Sequence, residues 1–172
     1  VKYLKSDIKQ KQKVLADEGY QVSMLRTLVS DGTSANALYR LTGWLVKYKL
    51  SPLALISLWL NRVINGCVIG AGAKFDEGFV IMHPVGVVIN SKVCGGKSII
   101  VESGVVIGDE KGQAPVLGSN IFIGAGAKII GGITIGDNVK IGANAVVVKD
   151  LPSNVTAVGI PAKIINKGAE TC

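Results

Sequence analysis

The sequence predicts a mainly β chain, a parallel β-coil of triangular cross-section preceded by an α-helical arm. Three observations carry this expectation. From Leu117 the chain reads in steps of six, "LGSNIF", "IGAGAK", "IIGGIT", "IGDNVK", "IGANAV", "VVKDLP". The hydrophobic share is 48% but only 5% of residues are aromatic, and 22 residues are glycine, so the core must be built from Val, Ile and Ala. Residues 1–65 lack the hexads and instead space their apolar residues among Lys and Gln as helices do.

The hexads define the coil. Leu117, Ile123, Ile129, Ile135, Ile141 and Val147 hold the first position, and Ile121, Ala127, Ile133, Val139, Ala145 and Leu151 the fifth. A period of six fits neither an α-helix nor a simple alternating strand. It fits flat sides of six residues, three to a turn, with the aliphatic positions stacked into an interior ladder.

In chain order, residues 1–65 form the helical arm. "VKYLKSDIKQKQKVLADEG" reads as one helix, "TSANALYRLTGWLVKYKL" as a second and "SPLALISLWLNRVING" as a third, with Ser51 as N-cap and Pro52 at the first helical position. Residues 66–158 form the coil, with the same register upstream in "IGAGAK", "FDEGFV" and "IMHPVG". Within it, the stretch 108–116, "GDEKGQAPV", breaks the hexads and is expected to project as a loop. Residues 159–172 form a tail, where Pro161 predicts an exit from the coil rather than another strand. Coils with open faces and unpaired ends are expected to pack side by side, so a homotrimer is the natural assembly.

The net charge is +7, and the excess sits in the arm: ten Lys/Arg against four Asp/Glu in residues 1–65, nine against eight thereafter. Most of those lysines are read as solvated helix faces. The stretch from Trp44 to Arg62 has the Trp and basic flanks of an interfacial helix pair, but packing over the top of the coil is the simpler use and the expected one. A nucleic-acid partner is not expected. Cys67, Cys94 and Cys172 have no paired spacing, so neither a disulfide framework nor a zinc knuckle is indicated, and a reducing cytoplasm fits best. Lysines interrupt any leader-like apolar run at the start, and "LALISLWL" is too short to span a bilayer.

His83 is the only histidine. A lone imidazole excludes a three-histidine metal centre, so no metal is expected. Standing alone, the residue reads as structural. Its setting, "MHPVGVV", together with "IGAGAKIIGGITIGDNVKIGANAVVVKDLP" and "VGIPAKI", resembles the serine acetyltransferase-like branch of the hexapeptide-repeat acyltransferases, whose fold is a left-handed parallel β-helix with an N-terminal α-helical arm. The resemblance implies a homotrimer or a dimer of trimers paired through the helical arms, acetyl-CoA as co-substrate, lying in the crevice between two coils, and His83 as the catalytic general base. It implies cofactor contacts at Gly108, Ala125, Lys140, Ala143 and Lys163, with Gly108 near the thioester and Lys163 at the adenine-phosphate end.

The acceptor pattern departs from the family. The aspartate that orients the histidine in the serine enzymes corresponds to Val68 here, and the substrate-binding aspartate before the histidine to Met82. The loop that brings an arginine and a second histidine reads Gln113, Ala114, Pro115. Only Asp17, on the arm, matches an acidic substrate contact. Glu102 and Asp109 are alternative partners for His83 or ordinary solvated corner residues. A free amino acid needs charged partners for both its groups. The expected activity is therefore O-acetylation of a sugar hydroxyl, in a polysaccharide or its precursor; the alternatives are serine O-acetylation in cysteine synthesis and a non-catalytic trimeric scaffold.

Overall fold

The computed structural model describes residues 2–20 and 23–165. Four helices come first: α1 (Lys2–Asp17), α2 (Met24–Val29), α3 (Thr33–Lys47) and α4 (Ser51–Asn65). The short α2 is absent from the expectation because six residues carry too little periodicity to be read. Ser51 is not the N-cap: Leu50 occupies that position without a side-chain cap, and Ser51 begins the helix.

Fifteen short strands then wind into three parallel faces. The first face stacks β1 (Val68–Ile69), β4 (Val88–Ile89), β7 (Val106–Gly108), β10 (Lys128–Ile130) and β13 (Val146–Val147). The second stacks β2 (Lys74–Phe75), β5 (Cys94–Gly95), β8 (Val116–Leu117) and β11 (Thr134–Ile135). The third stacks β3 (Val80–Ile81), β6 (Ile99–Val101), β9 (Ile121–Ile123), β12 (Lys140–Ile141) and β14 (Thr156–Val158), and ends on β15 (Lys163–Ile165).

The hexad ladder is the core. Ile123, Ile129, Ile135 and Ile141 are fully buried, as are Ala127, Val139 and Ala145 at the fifth positions. Aromatic rings enter only at the first coil, where Tyr39, Phe75 and Phe79 pack together beneath the arm. One corner is held by asparagines: Asn120, Asn138 and Asn154 all take left-handed backbone angles, and their amides hydrogen-bond in series at 3.1 and 2.9 Å.

Val88 pairs with Val106 and Lys128 with Val146, a regular repeat of 18 residues. Two coils are longer. Val68 to Val88 spans 20 residues, the two extra lying between β3 and β4, where His83 stands. Val106 to Lys128 spans 22, the four extra forming the projecting segment between β7 and β8. That segment is a tight hairpin in which Glu110 and Gln113 exchange backbone hydrogen bonds across Lys111 and Gly112, both at positive φ, the signature of a type I′ turn.

The expected exit at Pro161 is a reversal instead. β15 returns antiparallel along β14, pairing Thr156 with Ile165 and Val158 with Lys163. Its physical reason is that the last coil's edge would otherwise present unpaired amides to solvent.

The arm closes the other end. Asn36 donates to Phe79 O at 2.7 Å and accepts from Ile81 N at 2.9 Å. Asp7 accepts from Gly78 N and Phe79 N, and Arg40 donates to Phe75 O and Asp76 O while paired with Asp7 at 2.8 Å. Tyr39 Oη donates to Ala73 O and accepts from Phe75 N. The first coil has no coil above it, so helix side chains satisfy its backbone groups.

Candidate functional site

One edge of the coil, between the third face and the first, gathers the chemistry. The turns there stack through backbone hydrogen bonds: Gly104 N to Val85 O at 2.9 Å, Gly126 N to Ser103 O at 2.7 Å and Asn144 N to Ala125 O at 2.8 Å. His83 tops this column, while Ala125 and Ala143 lie exposed on it below. At ~4.8 Å per coil the column from His83 to Ala143 runs about 14 Å. Lys128 ties it together, its ammonium donating to Gly104 O at 2.7 Å and Gly126 O at 2.9 Å.

Asp31 meets His83 at this edge, its Oδ2 standing 2.9 Å from His83 Nδ1. Both side chains are more than half exposed on the single chain. Asp31 belongs to the turn between α2 and α3, and two contacts press that turn onto the coil. Gly32, at φ +78°, lies so close to the backbone that an added Cβ would fall 2.1 Å from Ile81 O. Lys11, only 3% exposed, reaches from α1 and donates to the backbone carbonyl of Asp31 and, at 3.3 Å, to that of Ile81. Burial brings the Lys11 ammonium down to about 8, against the pull of Asp31 and Glu102.

Glu102 follows β6 on the next coil, where burial raises its carboxyl above the usual range while His83 pulls it back. Asp109 does not orient the histidine; it accepts from Asn90 Nδ2 at 2.7 Å. Asp31 and Lys11 were invisible in the sequence. Asp31 reads as turn punctuation before Gly32, and Lys11 as one lysine among several on a polar helix.

The other expected site residues lie as follows. Gly108 ends β7 at the mouth of the projecting hairpin, opposite Ile130. Lys140 is exposed on β12, one strand before the turn that carries Ala143, and Lys163 is exposed on β15 at the far end of the same face. Met82 is buried at 6% exposure, with its N–H bonded to Val101 O. Asp17 is the last residue of α1 and is exposed. Val68 stands 41% exposed, with no carboxylate in its place. Among the described residues no group of three or more His, Cys, Asp or Glu is arranged to hold a metal ion.

A triangular parallel coil with a lone imidazole on an edge lined by small residues defines the hexapeptide-repeat class of transferases. The family described as bacterial transferase hexapeptide (six repeats) matches residues 114–149. A serine acetyltransferase from Helicobacter pylori is 43% identical over 144 residues, covering 81% of this chain and 84% of that protein. One from Synechococcus elongatus is 38% identical over 138 residues, covering 78% of this chain but 57% of the longer relative. Among solved structures, Neisseria gonorrhoeae serine acetyltransferase in complex with serine superposes with a TM-score of 0.87 at 30% identity, over 96% of this chain and 68% of that one. A serine acetyltransferase in complex with CoA gives the same TM-score and identity over 95% and 68%. The chain belongs to the serine acetyltransferase-like family of left-handed β-helix acyltransferases.

Proposed function

We propose that the protein is an acetyl-CoA-dependent O-acetyltransferase whose acceptor is the hydroxyl of L-serine. This replaces the sugar acceptor as the leading expectation. The observation that carries it is the 43% identity to a serine acetyltransferase across 84% of that protein's length. The CoA-bound and serine-bound relatives support the same donor and acceptor.

In this reading His83 is the general base. With the Nδ1 proton donated to Asp31, the neutral imidazole carries its lone pair on Nε2. Nε2 takes the proton from the acceptor hydroxyl as its oxygen attacks the thioester carbonyl. The C–S bond then breaks, and the proton passes from the imidazolium to the departing thiolate, releasing CoA and the O-acetyl ester. The column of small residues at Ala125 and Ala143 takes the pantetheine arm, Gly108 lies toward the thioester, and Lys140 and Lys163 meet the nucleotide end. Asp17 and the backbone around Met82 face the acceptor. The exposure of the dyad on one chain fits a crevice completed by a neighbouring coil, as a homotrimer would provide.

A second reading, a neutral sugar hydroxyl, is favoured by the apolar residues at Val68 and Met82 and by a hairpin whose Gln113, Ala114 and Pro115 offer a zwitterion no charge. Thiol release from acetyl-CoA, measured with L-serine and with a panel of sugars and nucleotide sugars, separates the two. Serine-driven release that His83→Ala lowers by ~100-fold or more supports the main reading. Release driven by a sugar alone establishes the second. No release and no acetyl-CoA binding would sink both.

A further inference from the structure

The α3–α4 hairpin is built inside out. The residues α4 buries are Ala54, Ser57, Asn61 and Asn65. Those it turns outward are Leu55, Ile56, Trp59 and Val63, with Leu53 and Ile64 exposed on its flank, each half exposed or more. Its seam with α3 is polar. Thr42 Oγ1 donates to Ser57 Oγ at 2.9 Å, Asn61 Nδ2 to Ala35 O at 3.2 Å and Ser34 Oγ to Asn65 Oδ1 at 2.6 Å. A water-facing helix pair places apolar side chains in the seam and polar ones outside. Small and hydroxyl or amide side chains inside, with large apolar ones outside, is the pattern of helices that face hydrocarbon. α3 packs against the coil, whereas most of the stretch from Trp44 to Arg62, expected to pack over the coil's top, forms α4, which packs chiefly on α3 and leaves its outer face open.

Charge decides what covers that face. Between Asp31 and Asp76 the chain has no carboxylate. Exposed Lys47 ends α3 and exposed Lys49 lies in the turn that leads into α4, on either side of Tyr48, and exposed Arg62 lies in the last turn of α4. Cations therefore bracket the apolar face at both ends. A second copy docked through the same face would set cation against cation with no anion between. Anionic headgroups at a bilayer surface match both features, apolar contact along the helix and positive charge at its ends. α4 has 15 residues, and no described helix is long and apolar enough to cross a membrane, so the contact lies in the surface plane.

We propose that the outer face of α4 docks the protein on an anionic membrane surface, with Leu55, Ile56, Trp59 and Val63 in the headgroup boundary and Lys47, Lys49 and Arg62 on the phosphates. The test is flotation of the full chain with vesicles of phosphatidylcholine alone or mixed with phosphatidylglycerol, with the oligomer mass measured in parallel by sedimentation. The proposal expects flotation with the mixed vesicles, lost in Leu55→Glu/Trp59→Glu and weakened roughly tenfold or more in Lys47→Glu/Lys49→Glu. The lysine variant lies outside the packed seam, so it carries the test if the first fails to fold. Absence of flotation with either vesicle overturns the proposal. So does a drop in oligomer mass in Leu55→Glu/Trp59→Glu with flotation retained, since another copy would then cover the face.

Discussion

Asp31 and His83 are separated by 52 positions in the chain and by 2.9 Å in the fold. The carboxylate comes from the helical arm, not from the coil position at Val68 where the family pattern places one. Two exposed side chains gain little stability from such a pair, at most about 1 kcal/mol. Its consequence is orientation of the imidazole.

Asp31→Asn is therefore expected to leave the melting temperature nearly unchanged and to lower kcat by roughly tenfold or more, though by less than His83→Ala. KM for acetyl-CoA should stay the same, and Asp31→Glu should recover part of the rate. Equal loss in the Glu and Asn variants would count against a positioning role.

Gly32→Ala should destabilise the protein and slow the reaction together. The new methyl meets the Ile81 carbonyl at a left-handed backbone angle, a strain of roughly 1–3 kcal/mol or more, and the turn bearing Asp31 must lift. Gly43→Ala is the control: it lies in α3 with nothing within 4 Å of the added methyl and should be neutral or stabilising by about 0.5–1 kcal/mol. Thermal melts of both variants check this.

Lys11 makes stability depend on pH in a defined window. Its folded value is depressed from 10.5 to about 8, so above pH 8 the unfolded chain holds more protons and stability rises with pH. Cys67 works the other way from pH 9, because burial raises its thiol to about 11 and the unfolded chain loses its proton first. A rise in melting temperature between pH 8 and 9 is expected, and Lys11→Met should remove it.

Asn36→Leu should cost about 2–5 kcal/mol in chemical denaturation. It leaves the buried Phe79 carbonyl and the Ile81 N–H of the first coil without their partner. A loss below 1 kcal/mol would mean that water reaches this end of the coil.

What the sequence by itself determined is the part of the molecule written in its period. The interior ladder from Leu117 to Leu151 and the place where the hexads stop and a loop projects are local, because each coil repeats the backbone beneath it. His83 was legible only through its setting "MHPVGVV" and the family resemblance that setting carries; the two extra residues of the first coil, where it stands, show only in the pairing of β1 with β4. The arm was legible only as helices. That Asp31 meets His83, that Lys11 is buried between two carbonyls, that Met82 turns inward and that α4 buries Ser57 and Asn61 while exposing Trp59 were decided by tertiary structure alone. A coil stacks by repetition, whereas the arm docks through contacts far apart in the chain, such as Arg40 with Asp7, 33 positions apart on one helix pair, and Asp7 with Phe79, 72 positions apart, at the coil's open end. No period encodes such contacts; they exist because the first coil's unpaired backbone must be satisfied, and the helix side chains that do so carry the site's carboxylate with them.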